Sequence, residues 1–444
     1  MTSEPGELWQ EPGPNEPGRR SVVFLHHCYY NFYYLARALR KRGWDALSVI
    51  VEPPTNPDLR FAHGEDLNLY DPDPALFRRR LGKFVSYVKR RMRMVHFYGR
   101  GRMSFFPEHW DASEQYEKYP ADFVKLRKAG VRIGYSHSGC LDLVSQSSFH
   151  RWSGGCCDRC IWQDKPDVCS DTRNLAWGRK VQEYCDLICT ETDPVLDFKS
   201  GNKVYREPLT FALDPDVWCA DMAVPERWRL PREEGEVLVY HAMGNLSQRT
   251  SETRNIKGTP AVGAAVERLR REGHKVRLEF VSDVPSTEVR FIQVQADIIV
   301  DQLNYGRYGA TSREGMMLGK PTICFINPRE EIPGAESECI EECPLVSATE
   351  ATVYEVLRGL VLDSEKRLAI GRASRAHALK WWSADSCAER FEQVYDRLMA
   401  GLRPAERIVP EVEGFERMAR VEMAARSGFL ERKYWWLRTG IRLT

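Results

Sequence analysis

Residues 296–321 read ADIIVDQLNYGRYGATSREGMMLGKP, the pattern of a strand, a glycine-rich turn, a helix and a sharp return turn. The apolar run 296–300 is short, as in a buried parallel strand. Gly309 stands just before the helix, where a missing side chain lets a ligand approach the backbone amides. Those amides and the helix dipole favour phosphate, and Glu314 is placed to accept hydrogen bonds from ribose hydroxyls. This pattern predicts a nucleotide-binding α/β unit over residues 236–330.

The same alternation of strands and helices extends through most of the chain. We expect further strands at the short apolar runs 21–25, 46–51, 94–97, 131–135, 186–190, 237–240, 276–280 and 322–326. We expect helices at 32–39, 77–91, 122–128, 259–272 and 312–318, where apolar residues recur at helical spacing. Strands joined by helical crossovers form parallel sheets. The predicted fold class is α/β, with two Rossmann-like doubly wound domains that face a crevice.

The length and composition of the chain are consistent with two domains. A chain of 444 residues is too long for one ordinary core. We expect a disordered leader (1–20), an N-terminal domain (21–205) with a cysteine-rich insertion (141–175), a proline-containing linker (206–234), a C-terminal domain (235–375) and terminal helices (376–444). A net charge of +1 argues against a nucleic-acid binder. The leader lacks the basic and apolar segments of a signal peptide, and we predict a cytoplasmic protein.

The stretch 296–321 resembles the donor-sugar domain of GT-B fold glycosyltransferases, in particular the retaining, glycogen-synthase-like superfamily (glycosyltransferase family 4 type). The resemblance implies that the C-terminal domain binds a nucleoside-diphosphate sugar and the N-terminal domain binds the acceptor. It also implies that C-terminal helices cross back onto the N-terminal domain. Two glutamates flank the turn in that family. Glu314 matches the second, but the first position falls at Gly306, so that role is unfilled.

The family also neutralises the diphosphate with an Arg and a Lys that follow the first strand of this domain. Lys257, which precedes Gly258 and Thr259, matches the lysine, and either Arg254 or Arg249 matches the arginine. Fixed cations stabilise a leaving nucleoside diphosphate, so the resemblance implies that no catalytic divalent metal is needed. The predicted donor-binding residues are Arg249, Arg254, Lys257, Tyr308, Gly309 and Glu314.

Two histidines are candidates for a catalytic role in the N-terminal domain. His96 lies at the end of the expected strand 94–97, and His137 directly follows the strand 131–135. The ordinary pKa of histidine is near neutral pH, which suits a base or a group that steadies the sugar. The resembling family places a histidine at a comparable strand end, and we prefer His137 slightly over His96.

Four cysteines cluster within the insertion 141–175. Cys157, Cys160 and Cys169 have the spacing of zinc ligands, and Cys156, Cys140 or His150 is available as a fourth. The predicted metal ligands are Cys156, Cys157, Cys160 and Cys169, which would hold a structural zinc ion in a loop-like segment. Free thiols, a disulfide or redox role, and an iron–sulfur cluster are the alternatives.

Together these features predict a glycosyltransferase that moves a hexosyl or related sugar from a nucleoside-diphosphate donor to a glycan, natural product or other small-molecule acceptor. The resemblance implies retention of the anomeric configuration. The alternative is a non-catalytic GT-B-like subunit that binds a nucleotide or glycan, since Gly306 replaces a carboxylate. The tail 426–442 interleaves aromatic and basic residues. This composition fits either packing against the N-terminal domain or peripheral contact with a membrane surface.

Overall fold

The structure of the protein is a computed structural model that describes residues 19–26, 29–110, 120–137, 139–140, 142–189, 197, 203–205, 211–244, 255–327 and 342–404. The predicted leader lies almost entirely outside these residues, and the aromatic and basic tail 426–442 lies wholly outside them. Within the described part of the chain no helix is both long and apolar enough to cross a membrane.

The first half of the chain forms a seven-stranded parallel sheet of order β3-β2-β1-β4-β5-β6-β7. Its strands are β1 (Ser21–Leu25), β2 (Asp45–Ile50), β3 (Leu67–Asn68), β4 (Met94–Tyr98), β5 (Arg132–Ser136), β6 (Leu187–Cys189) and β7 (Val204–Tyr205). Val23 pairs with Leu47 on one side and with Val95 on the other. Every residue of β1 and β4 is buried, because helices cover both faces of the sheet.

Among the described residues, the α-helices that connect these strands are α1 (Tyr33–Lys41), α2 (Pro74–Arg91), α3 (Ala121–Lys128), α4 (Gln146–Ser153) and α5 (Asp171–Tyr184). The start of α2 shows how the sequence sets a helix boundary. Asp73 accepts hydrogen bonds from the amides of Ala75 (2.8 Å) and Leu76 (3.0 Å), and Pro74 fills the first helical position.

The second half forms a four-stranded parallel sheet of order β11-β10-β8-β9. Its strands are β8 (Val237–Met243), β9 (Val276–Ser282), β10 (Ile298–Val300) and β11 (Thr322–Ile323). Its helices are α6 (Thr259–Arg271), α7 (Ser286–Gln293), α8 (Ala310–Met317) and α9 (Val353–Leu362). Val262, Val266 and Leu269 of α6 pack on Val239 and Val300 of the sheet. These apolar positions recur at helical spacing, so one face of α6 is buried.

Of the last two described helices, α10 (Ser364–Trp381) packs on α8 of the second half, and α11 (Ala384–Met399) returns to α1 of the first half. Tyr395 of α11 contacts His96 of β4, with 2.7 Å between the phenol oxygen and Nδ1. Leu213 donates its amide hydrogen to the Trp382 carbonyl at 2.8 Å and accepts one from Ala384 at 2.7 Å. The predicted α/β fold class of two facing parallel-sheet units with a helical return is confirmed.

The structure contains helices in two places where the sequence did not predict them, segment 141–175 and helix α7. Segment 141–175 was expected to be loop-like, but it contains α4 and the beginning of α5. Ser145 caps α4 by accepting from the Ser148 amide at 3.1 Å, and Gly154 ends it at φ +71°. Helix α7 was not predicted, because its apolar positions lie within a polar stretch of only eight residues.

Candidate functional site

A cleft with a volume of about 260 Å³ lies between the two halves at the carboxyl ends of their strands. In open parallel α/β sheets, ligands bind at this edge. The first half contributes aromatic surface, and the second half contributes the start of α8 and the charged groups. The lining includes Tyr29, Phe61 and Trp152 from the first half, and Lys257, Arg307, Tyr308, Gly309, Arg313 and Glu314 from the second.

Lys257 lies beside this cleft and forms a buried ion pair with Asp301. Asp301 is fully buried and Lys257 is 6% exposed. Burial would raise the pKa of Asp301, but the Lys257 ammonium and hydrogen bonds from Ser312 and Gly309 hold it below its usual range. The predicted lysine is therefore at the cleft, with its ammonium group engaged by a carboxylate of the protein.

The Asp301 carboxylate also accepts hydrogen bonds from groups at the N-terminus of α8. Oδ2 of Asp301 accepts hydrogen bonds from the amides of Gly309 (2.9 Å) and Ser312 (3.2 Å) and from the Ser312 hydroxyl (2.6 Å). A Cβ atom on Gly309 would lie 3.3 Å from Gln302 and 3.5 Å from Asp301, so a larger residue would crowd this turn. The expected contact between the Gly309 amide and a phosphate does not agree with this geometry, because that amide already has an acceptor.

Glu314 lies in α8, lines the cleft and is 3% exposed. Its Oε2 accepts a hydrogen bond of 2.7 Å from Nε2 of Gln293, which belongs to the last turn of α7. Burial raises the pKa of Glu314 to about 7, although the Gln293 hydrogen bond opposes this shift. The carboxyl group therefore exchanges a proton near neutral pH, and it can either donate to or accept from a ligand hydroxyl.

Gly306 has a structural reason to lack a side chain. Its φ of +73° lies in the left-handed region, and a Cβ atom there would lie 2.0 Å from the Ser153 carbonyl oxygen. The end of α4 from the first half thus packs directly on the turn that precedes α8. A carboxylate at this position is sterically excluded, which explains the departure from the family pattern.

Sequence reasoning missed two arginines in the cleft, Arg307 and Arg313, which are 1% and 3% exposed. The guanidinium carbon of Arg307 lies 4.1 Å from the ring centroid of Trp152. Arg313 lies over Phe211 (4.2 Å) and 5.1 Å from Tyr308, which is itself 2% exposed. Arg307 stands in the glycine-flanked turn Gly306-Arg307-Tyr308-Gly309, and this position in the sequence could have identified it as a cleft residue.

The two candidate histidines are fully buried and do not contribute to the cleft lining. Both ring nitrogens of His96 have partners at 2.7 Å, the Tyr395 hydroxyl and the Ser136 hydroxyl. Burial lowers the pKa of His96 to about 3. Nε2 of His137 contacts the Asp142 carbonyl, and burial lowers its pKa as well. A catalytic role for either histidine stays a prediction, and their positions do not favour it.

The four predicted zinc ligands lie around α4. Cys156 is buried in an apolar cluster with Phe149, Trp152 and Ile256. Burial, and then the nearby Cys140 thiol, raise the pKa of Cys169 to about 12. No disulfide bond joins any two of the four. In the parts of the chain that the structure describes, no group of three or more His, Cys, Asp or Glu side chains is arranged to hold a metal ion. The zinc prediction is therefore not supported.

The remaining predicted donor-binding residues, Arg249 and Arg254, lie outside the described residues. The structure thus brings Lys257, Tyr308, Gly309 and Glu314 together at one cleft. It adds Arg307 and Arg313 to the cleft lining, and Asp301 as the ion-pair partner of Lys257.

Comparison with solved structures finds similarity across most of the chain. HepE from Anabaena, solved in complex with UDP and glucose, shares 10% sequence identity with a TM-score of 0.50, and the match covers 86% of this chain and 100% of that chain. Sucrose-phosphate synthase from Thermosynechococcus elongatus shares 13% identity with a TM-score of 0.51, over 86% of this chain and 100% of that chain. No family model matches the chain, and no curated protein matches its sequence. At these identities the similarity establishes the fold, which is GT-B.

Proposed function

We propose that the protein is a glycosyltransferase that moves a sugar from a nucleoside-diphosphate donor to a hydroxyl of a glycan or small-molecule acceptor. The observation that carries this proposal is the position of Glu314, a buried carboxyl group in the middle of α8 that lines the cleft between the two halves. Support comes from the GT-B fold and from the complex of the similar protein HepE with UDP and glucose.

We assign Glu314 to the ribose of the donor. Its carboxyl group is held by Gln293 and gains or loses a proton near pH 7, so it can pair with vicinal hydroxyls in either state. On the opposite side of the cleft, Tyr29 and Phe61 present ring surfaces. Aromatic faces of this kind suit the apolar face of a sugar, so we place the acceptor there.

We further propose retention of the anomeric configuration and chemistry without a divalent metal, both in line with the family resemblance. Positively charged side chains line the cleft and can stabilise the departing diphosphate. Turnover should therefore be unchanged after treatment with EDTA, and proton NMR of the first product should show the anomer of the donor. An inverted product, or a loss of turnover that magnesium restores, would contradict this part of the proposal.

Ligand binding and turnover test the function directly. We expect at least one of UDP, ADP, GDP and dTDP to raise the thermal stability, since a ligand at 100 times its Kd stabilises by about 2.7 kcal/mol. The matching nucleotide sugars should then be hydrolysed slowly in the absence of acceptor. Glu314→Gln should lower kcat/KM about 10- to 100-fold through loss of hydrogen bonds to a charged group.

Glu355→Gln, on the exposed side of α9, is the matched control and should leave kcat/KM unchanged. Binding without any turnover would favour the non-catalytic subunit. Absence of binding to all four diphosphates, together with no effect of Glu314→Gln on any ligand, would refute the proposal.

A further inference from the structure

Helix α7 belongs to the second half, but its beginning contacts the first half. At its first residue, the Ser286 hydroxyl donates a hydrogen bond of 2.6 Å to the carbonyl oxygen of Phe61 in the first half. At its last residue, Nε2 of Gln293 donates a hydrogen bond of 2.7 Å to Oε2 of Glu314. A helix of eight residues is about 12 Å long, so a short rigid segment of backbone joins the two hydrogen bonds.

The contact at the beginning of α7 also fixes part of the cleft wall of the first half. Ser286 is buried, and the segment Pro57–Phe61 packs on α7 at this point. Arg60 lies over the Phe61 ring at 4.7 Å and forms an ion pair of 3.2 Å with Asp283, three residues before α7. Both the backbone and the ring of Phe61 are therefore linked to the second half. Phe61 belongs to the surface on which we place the acceptor.

The end of α7 is anchored to its own half by packing. Ile292 is 4% exposed and lies in an apolar cluster with Tyr240 of the sheet. A rigid helix that is anchored at one end can still turn about that end, and a hydrogen bond weakens steeply as its angle changes. The hydrogen bond from Ser286 to the first half restricts this rotation. It therefore helps to hold the Gln293 amide in line with Glu314.

We propose that α7 couples the two substrate sites: the first half positions α7 through Ser286, and Gln293 then positions the Glu314 carboxyl group for the ribose of the donor. This inference rests on the proposed function. Gln293 is a positioning residue, because it acts on the ribose only through Glu314. Contact between the halves at Phe61 should strengthen recognition of the ribose, and by linkage a bound donor should strengthen that contact.

The test measures recognition of the ribose hydroxyls as the ratio of the affinities for UDP and for 2′-deoxy-UDP. Calorimetry on the full chain gives both affinities, and the ADP or GDP pair replaces them if it binds more tightly. For the wild type we expect a ratio of about 10 or more, because 2′-deoxy-UDP lacks one of the vicinal hydroxyls that the carboxyl group binds. Gln293→Met should lower the ratio to less than about 3. A substitution that only loosens the fold would weaken both ligands equally and leave the ratio unchanged.

A second set of variants tests the contact with the first half. Ser286→Ala removes the hydrogen bond to Phe61 and should lower the ratio about two- to fivefold. In the Gln293→Met background the same substitution should change the ratio by less than about 1.5-fold, because the link to Glu314 is already broken. Thr287→Ala is the matched control, since it removes a hydroxyl group from the same turn of α7 and keeps Ser286. It should leave the ratio within about 1.5-fold of the wild type.

The outcomes separate the inference from the proposed function. If the wild type binds no nucleoside diphosphate, or if Glu314→Gln leaves the ratio unchanged, the proposed function or its ribose assignment fails. If Glu314→Gln lowers the ratio but Gln293→Met does not, only the inference fails. Equal effects of Ser286→Ala in the two backgrounds would also overturn it, because the hydroxyl group would then act without Gln293.

Two further results are also decisive. If Gln293→Met does not fold, Gln293→Asn replaces it, because the shorter side chain keeps the amide but withdraws it from Glu314. The ratio should then fall in the same way. Binding of dTDP alone would mean that no 2′-hydroxyl is recognised, which would overturn the inference and leave sugar transfer from a nucleoside diphosphate in place.

Discussion

Glu314 is a buried carboxyl group that faces the cleft, and its protonation is coupled to stability. Its pKa is raised from 4.5 to about 7, chiefly by burial. Between these two pH values the unfolded chain releases the proton while the folded chain retains it. The unfolded state then binds fewer protons, so the free energy of unfolding falls as the pH rises. The stabilising contribution is complete below pH 4.5 and is lost by about pH 7.

Glu314→Gln removes this titration and retains an amide that can pair with Gln293. We therefore expect the stability of the wild type relative to this variant to decrease by about 2–3 kcal/mol between pH 4.5 and 7.5. Urea unfolding at four pH values measures the difference, in which other titrating groups cancel. A constant difference would show that burial does not shift the pKa of this carboxyl group away from its value in the unfolded chain.

The sequence placed Gly309 in a turn before a helix and Glu314 within that helix, because their residue types and spacing report directly on local structure. It did not reveal the pairing of Lys257 with Asp301. These residues lie 44 positions apart, and they meet only because β8 and β10 are neighbours in the sheet. The roles expected for His96 and His137 show the same limitation. A strand-end position is visible in a sequence, but whether the ring faces a cleft or the core depends on packing, here on α11 for His96.

Helix α4 is the element whose prediction differed most from the structure. Ser145 and Gly154 are ordinary helix boundary signals, yet the cysteine spacing that follows favoured a metal-bound loop. In the structure this segment gains its stability from an apolar cluster in which Phe149, Trp152 and Cys156 pack on Ile256 of the second half. This apolar cluster forms only where the two halves of the molecule touch. The sequence around α4 does not show that contact, so it could not predict that the segment is helical and packed.

Serine substitutions distinguish packing from metal binding at α4. Cys156→Ser should lower the free energy of unfolding by about 1–3 kcal/mol, because it buries a hydroxyl in an apolar cluster. Cys160→Ser should change it by less than about 0.5 kcal/mol, because this thiol is only partly buried. Urea unfolding and the zinc content of the purified protein are the measurements. Co-purified zinc, with a larger effect for Cys160→Ser than for Cys156→Ser, would reinstate the metal site.

At the scale of the whole molecule, the contacts that join the two halves in the described part of the chain include the return of the last helix, the linker and the end of α4. Helix α11 packs on the first half. Leu213 of the linker forms backbone hydrogen bonds with Trp382 and Ala384 next to the start of α11. The end of α4 contacts the second half at Gly306. The first of these was predicted from the resemblance, since helical returns belong to the GT-B fold. The contact at Gly306 was not predicted, because a glycine in a turn usually reports only on backbone conformation. Here it also reports a close approach between the halves.

Gly306→Ala tests whether this approach persists in solution. At φ +73° any added side chain is strained, and the Cβ atom would also lie 2.0 Å from the Ser153 carbonyl oxygen. Gly235→Ala is the matched control, because Gly235 has φ +74° with no atom within 4 Å of the added Cβ. We expect Gly306→Ala to lower the free energy of unfolding by about 1–3 kcal/mol more than Gly235→Ala does. Equal effects in urea unfolding would mean that α4 does not rest on this turn in solution. The stack of Trp152 on Arg307 would then lose its support as well.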